Sequence, residues 1–188
     1  MSNPENRELE VKFEITSAET MKQVILDAGA VPEQETRLER NLRWDDADGT
    51  LTKTGQVLRL RDNGGTAVLT YKAEHQNDKG IADREEIETV VSDFENTRLI
   101  LERLGYKTVF IYEKYRSIYR LDDTGLFLDH TPIGDYLEIE GPDDLAIRRS
   151  AEQLGLNWEK RISKGYRNLF NTWKKQTGFP GRDMTFNR

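Results

Sequence analysis

The sequence predicts an α+β fold dominated by antiparallel strands, and three observations carry that prediction. Residues 7–13 read RELEVKF, with charged and apolar residues in strict alternation; this is the period of a half-buried strand, whose successive side chains point to opposite faces. The stretches QVLRLRD and AVLTYKA flank Asn63-Gly64-Gly65, residues that tolerate positive φ and so close an antiparallel hairpin. Between such stretches, apolar residues at helical spacing run up to single glycines, the punctuation of short helices.

The elements follow in order. After the first strand, Ser17 caps a helix with Met21, Val24, Ile25 and Ala28 on one stripe, and Gly29 closes it. A strand-rich block containing the hairpin then runs from about Arg37 to Val91. Ser92-Asp93-Phe94-Glu95 reads as a capping box for a helix that continues through Leu99, Ile100, Leu101 and Leu104 and ends at Gly105. Three strands come next, KTVFIYEKYRSIYRL, GLFLDHT and DYLEIEG. Gly141-Pro142 opens a further helix reaching about Gly155, and Ile162 to Lys175 reads as the last one.

At 188 residues, with 36% hydrophobic and 33% charged residues, the chain supports one sizeable core. The expectation is a single domain over 1–188, with its core at about 7–170 and a C-terminal helix and tail at 162–188. Lys and Arg number 28 against 34 Asp and Glu, a net charge of -6, and the pI is about 5.2. That balance argues against nucleic acid as the principal partner. The absence of cysteine removes disulfides, thiolate metal sites and a thiol nucleophile. MSNPENRELE lacks the apolar run of a signal peptide, and nowhere do eighteen apolar residues follow one another. A soluble cytoplasmic protein with no membrane partner is expected.

The charges recur on one face of strand after strand. Glu8, Glu10 and Lys12 share a face; so do Arg59 with Arg61, Arg84 with Glu86 and Glu88, Lys114 with Arg116, and Glu138 with Glu140, while Lys72 points away from Leu69 and Tyr71. If the sheet closes into a barrel, these side chains line its interior. So many enclosed charges need pairing or a matching ligand. Arginine and lysine suit phosphate oxygens, and clustered carboxylates suit a hard cation such as Mg2+ or Mn2+. A polyphosphate chelating a metal satisfies both sets at once.

The ordered series E-x-E-x-K at Glu8, Glu10 and Lys12, Arg59 and Arg61 after Gly55, Lys72, R-x-E-x-E at Arg84, Glu86 and Glu88, K-x-R at Lys114 and Arg116, Asp129, and E-x-E at Glu138 and Glu140 resembles the CYTH superfamily over about residues 7–170. That superfamily joins class IV adenylyl cyclases with thiamine and inorganic triphosphatases and is also called the triphosphate tunnel metalloenzymes. The resemblance implies a closed eight-stranded antiparallel β-barrel with flanking helices, whose tunnel takes a triphosphate-containing small molecule with Mg2+ or Mn2+. It implies phosphate binding by Lys12, Arg59, Arg61, Lys72, Arg84, Lys114 and Arg116, and metal binding by Glu8, Glu10, Asp129, Glu138 and Glu140. Homodimers are common among such proteins, and no interface is readable in this sequence.

Two outcomes differ only in the nucleophile: water makes a triphosphatase, and the ribose 3'-hydroxyl of ATP gives cyclic AMP and pyrophosphate. EKYRSIY and LDH resemble the cyclases, which tend to lack the second acid of E-x-E, present here as Glu140. A second carboxylate favours water activation, so the expected activity is a triphosphatase, with class IV adenylyl cyclase as the alternative. A non-catalytic polyphosphate or nucleotide-binding module is a further alternative, one that has no use for the paired acids. RWDDADGTL stands where the family commonly has YFDTPDGRL, so Arg43 replaces a tyrosine that works with a lysine, here Lys72, to orient water. Arg43, Lys72 and Glu140 are therefore the candidate catalytic residues. Lys164-Gly165-Tyr166 stands where the family has Lys-Ser-Tyr, and Lys164 and Tyr166 are expected to close one tunnel mouth.

The remaining polar and aromatic residues have plainer readings. His75 belongs to a polar loop, and His130 faces away from Asp129 on the same strand. Glu102, Arg103 and Glu113 are expected on outer surfaces, Arg148 and Arg149 on a solvated helix face, and Trp44, Trp158 and Trp173 in packing.

Overall fold

Eight strands hydrogen-bond edge to edge until the last meets the first. The computed structural model describes residues 6–75 and 80–186; the opening MSNPE and the middle of the AEHQNDKG loop lie outside the described residues. The strands are β1 (Arg7–Ile15), β2 (Val31–Asp45), β3 (Gln56–Asp62), β4 (Ala67–Glu74), β5 (Ala82–Val91), β6 (Lys107–Leu121), β7 (Thr124–Thr131) and β8 (Gly134–Glu140). Their order around the closed barrel is β1-β5-β4-β3-β2-β6-β7-β8, and every pairing is antiparallel. Closure removes both sheet edges and turns one face of every strand inward.

The helices α1 (Ala18–Asp27), α2 (Thr50–Lys53), α3 (Phe94–Arg103), α4 (Asp144–Gln153) and α5 (Tyr166–Thr177) sit in the connections. Two of the three apolar clusters lie outside the barrel wall, between strands and helices, and the third, where α5 meets β6, includes Tyr112 and Tyr166, which line the barrel interior. Val11, Phe13, Leu137 and Ile139 pack with Ile25 and Ile147; Trp44, Leu42 and Leu60 pack with Leu101; Phe110 and Tyr112 pack with Tyr166 and Phe170. Leu9, Val11 and Phe13 of RELEVKF thus face outward and Glu8, Glu10 and Lys12 face the tunnel, while Arg7 at its start is exposed and pairs with Asp83.

Several element bounds differ from the sequence reading. β2 starts at Val31 rather than near Arg37, because VPEQET is extended without apolar alternation and pairs irregularly with β6, with register shifts at Pro32/Gln34 and Gln34/Arg37. Helix α3 is capped by Asp93, which accepts from Asn96 N–H at 2.8 Å, rather than by Ser92. Helix α4 is capped by Asp143 and starts after Gly141-Pro142. The last helix begins at Tyr166, four residues late, because Ile162 exchanges two 2.8 Å backbone hydrogen bonds with Lys12 of β1. The single turn α2 was not expected. It is held by the Asp45 carboxylate, which accepts from the Leu51 and Thr52 N–H groups at 2.9 and 3.0 Å, and by Gly49, whose φ of 70° enters the turn.

Candidate active site

The inward faces enclose a cavity of about 550 Å³ walled mainly by charged side chains. Register explains why cations and anions alternate there. Lys12 of β1 stands opposite Glu138 of β8, Lys72 of β4 opposite Glu86 of β5, and Arg116 of β6 opposite Asp129 of β7. Cross-strand neighbours of opposite sign attract, and the strands supply the spacing.

Three ionic groups result. In the first, Arg116 grips Asp129 with two donors at 2.6 Å and also donates to Glu138, while Lys114 lies 3.0 Å from Asp129, 3.5 Å from Glu138 and 3.6 Å from Glu39. Tyr166 donates its hydroxyl to Asp129 at 2.5 Å, and its ring lies beneath the ammonium groups of Lys114 and Lys12. Burial works against the Arg116 charge, yet Asp129 and Glu138 outweigh it and hold the guanidinium well above its ordinary value.

In the second group, Lys12 donates to Glu10 at 2.8 Å, and Arg84 donates to the same carboxylate. Burial would raise Glu10, but Lys12, Arg84 and Lys72 pull it down to about 2. Lys72 reaches both Glu8 oxygens, at 2.6 and 2.7 Å, and lies 3.0 Å from Glu86. In the third, Arg59 donates to Glu88 at 3.0 Å and to Thr70 at 3.1 Å, and Arg61 lies 3.6 Å from Glu88. Burial and the nearby Glu8 charge leave Glu86 pushed up to about 8 despite Lys72.

Negative charge is in excess where β1 meets β8. Glu10 and Glu140 face each other across that pair. Burial, then Glu8 and Glu10, push the Glu140 carboxyl up to about 7, with Lys72 the opposing cation. Excess carboxylate oxygens held in a dry wall are the donor set of a hard divalent cation, so Glu8, Glu10, Glu138 and Glu140 fit one. Among the described residues, no three acids already converge into a metal site; oxygens of Glu8, Glu10 and Glu138 are shared with lysine and arginine instead.

All the expected phosphate ligands of the strands, Lys12, Arg59, Arg61, Lys72, Arg84, Lys114 and Arg116, line this one cavity, as do Arg43, Glu8, Glu10, Glu138 and Glu140. Two expectations change. Lys164 is exposed and does not line the cavity; the pairing of Ile162 with Lys12 lays its segment along the barrel rim, and Arg167 on α5 lines the tunnel instead. Asp129 is fully buried with both oxygens taken by Arg116, Lys114 and Tyr166, so it fixes the cations rather than offering a free ligand oxygen. Tyr166 faces the tunnel as expected.

Sequence reasoning passed over Glu39, Asn41, Thr70 and Tyr112. Thr70 and Tyr112 continue the period-two faces recognised at Lys72 and Lys114, and Glu39 and Asn41 lie at the same period from the candidate Arg43. Asn41 is fully buried, and neither atom of its amide has a hydrogen-bond partner among the described residues. The plainer readings stand for His130, whose ring nitrogen lies 2.6 Å from Asp135 on the outer face, and for the tryptophans, which pack against Leu101, Phe13 and Phe170. Glu113 is an exception: besides approaching Arg40 it accepts from the Phe186 N–H at 3.1 Å, tying down the C-terminal tail.

The closed barrel thus pairs its inward lysines and arginines with carboxylates of neighbouring strands. The CYTH domain model matches residues 6–166, and this chain belongs to the CYTH domain family. A Methanocaldococcus jannaschii protein provisionally named an adenylate cyclase is 33% identical over 105 residues, 55% of this chain; the match spans only 59% of that relative's length. A solved Pyrococcus horikoshii protein superposes with a TM-score of 0.74 at 27% identity, covering 85% of this chain and 96% of that one. A plant protein from Hippeastrum, described as an adenylyl cyclase candidate with a dominant triphosphatase activity, shares the fold at a TM-score of 0.61 and 19% identity, covering 92% of this chain and 98% of that one. No helix among the described residues is long and apolar enough to cross a membrane.

Proposed function

We propose that this chain is a divalent-metal-dependent triphosphatase that hydrolyses a phosphoanhydride bond of a triphosphate held in the barrel, acting in the cytoplasm. The observation that carries this reading is the interleaving of seven paired cations with the Glu8, Glu10, Glu138 and Glu140 carboxylates around a single cavity. A binding module needs the cations and enough acids to hold them in place; Glu140, facing Glu10 across β1 and β8, adds nothing to anion binding and supports a metal. Mg2+ or Mn2+ held by those four acids would supply neutralisation of phosphoryl charge and a more acidic water.

The chain's own residues do the rest. Arg59, Arg116 and Lys114 bind the non-bridging oxygens and stabilise charge that develops as the bond breaks, from positions already fixed by Thr70 and Asp129. Lys72, steadied by Glu8, orients the attacking water, and Glu140, which faces Glu10 across β1 and β8, accepts its proton. The closed wall fixes the triphosphate in line with its attacker.

The name of the Methanocaldococcus relative favours a second reading, class IV adenylyl cyclase. One incubation separates the two: tripolyphosphate, ATP and thiamine triphosphate, each with Mg2+ or Mn2+, with orthophosphate, pyrophosphate and cyclic AMP resolved together. Orthophosphate from tripolyphosphate without cyclic AMP is expected. Cyclic AMP with equimolar pyrophosphate from ATP overturns hydrolysis in favour of cyclisation.

Ligand binding also has a thermal signature. The buried acids and cations gain their best partners only from metal and triphosphate, so 1 mM of each is expected to raise the melting temperature by several degrees through mass action. An unchanged transition in differential scanning fluorimetry contradicts a binding tunnel.

A further inference from the structure

Nine lysines and arginines line the cavity, and seven of them lie within 4.0 Å of a carboxylate. Arg43 and Arg167 are the two that, among the described residues, do not. Arg43 ends the inward face of β2 and is largely buried; the cations that bear on it are Arg167, Arg59 and Arg84, all of its own sign, with the Tyr112 phenol as a polar neighbour. Arg167, in the first turn of α5, donates to the neutral Thr52 hydroxyl of α2 at 3.3 Å. Asn168 and Asn171, also on α5, line the same cavity.

Two neighbouring guanidinium groups without a carboxylate repel each other, and removing Arg43 from water adds to the cost. Elsewhere in the tunnel each such charge has a carboxylate within 4.0 Å, though pairs of cations share one. A neutral nucleobase placed here leaves both cations uncompensated, whereas a phosphoryl group matches the forked donors of both arginines and accepts from the asparagine amides.

We propose that Arg43 and Arg167 form a further phosphoryl subsite at the α2/α5 end of the tunnel, fitting the protein to linear inorganic polyphosphates of four or more phosphoryl groups. This rests on the triphosphate-tunnel reading and extends it to chain length. The segment RWDDADGTL supplies the subsite twice over, through Arg43 itself and through Thr52 just beyond it, which holds Arg167 in place.

Calorimetric titration of the full chain with tripolyphosphate and with tetrapolyphosphate tests it, with metal chelated so that neither is turned over. The wild type is expected to bind tetrapolyphosphate about tenfold more tightly, the size of one charge-assisted contact. Arg167→Gln and Arg43→Gln should each move that ratio towards one. The readout is a ratio of affinities within one preparation, so a partly unfolded variant does not mimic the effect. Equal affinities in the wild type, or a ratio unchanged in both variants, overturns the subsite while leaving the triphosphate reading intact. Failure of both chains to bind overturns the tunnel reading and the subsite together.

Discussion

Asp129→Asn is expected to destabilise the protein by about 3–5 kcal/mol, the cost of breaking a buried ion pair by removing one partner. The carboxylate is fully buried and accepts from both sides of the Arg116 fork, from Lys114 and from Tyr166. An amide of the same size keeps the shape but turns one acceptor into a donor facing cations, and it leaves Arg116 and Lys114 to share Glu138 and Glu39. For a chain of this length the penalty is a fall in melting temperature of roughly 6–20 °C. The exposed pair Arg120–Glu33, at 3.0 Å, makes the control. Arg120→Ala removes a contact of similar length in water, and such pairs are worth about 0–1 kcal/mol. Urea denaturation of the three proteins decides the matter: Asp129→Asn within experimental error of wild type means that the tunnel is wet and its ions screened.

The barrel was legible because its chemistry and its period coincide. On β6 to β8 charged residues mark the inward face along much of each strand, and the observed strands coincide almost residue for residue with the three stretches read from the sequence. Register then follows, since a one-residue slip would send every charge outward and every Leu, Ile and Val inward. Legibility failed where that coupling is absent. VPEQET in β2 is exposed on both faces and has no apolar period to show that it is a strand. One-turn α2 is too short for helical periodicity, and its cause is a single aspartate's hydrogen bonds. Lys164 sits in an irregular segment where spacing does not decide direction, so the match to Lys-Ser-Tyr located Tyr166 and misplaced the lysine.

The site was legible as a set of residues but not as a set of partners. Period two puts Asp129 on the charged face with Arg116, and from the sequence it could serve a metal or a guanidinium equally well. Only the register Arg116↔Asp129, with Tyr166 arriving from α5, decides between these roles. For the same reason the unbalanced end at Glu10 and Glu140 becomes visible only once β1 and β8 close the barrel.

Glu10→Gln is expected to lower triphosphate turnover roughly 100-fold or more at fixed Mg2+, with a higher Mg2+ concentration needed for half-maximal rate. Glu10 is buried and strongly ionised, held by Lys12 and Arg84 on one side and facing Glu140 on the other. Glutamine keeps the hydrogen-bonding reach towards Lys12 but surrenders the charge that a divalent cation needs. Arg59→Ala changes a different quantity: the half-saturating Mg2+ stays near wild type while KM for tripolyphosphate rises and kcat falls, because the lost guanidinium contacts the anion in the ground state and more strongly in the transition state. Measuring rate against Mg2+ and against substrate in both variants separates a metal ligand from a phosphate ligand within one wall. If Glu10→Gln keeps the Mg2+ dependence of the wild type and loses only substrate affinity, the acids serve to space the cations, and the metal lies elsewhere. If both variants keep full activity, catalysis does not take place in the barrel.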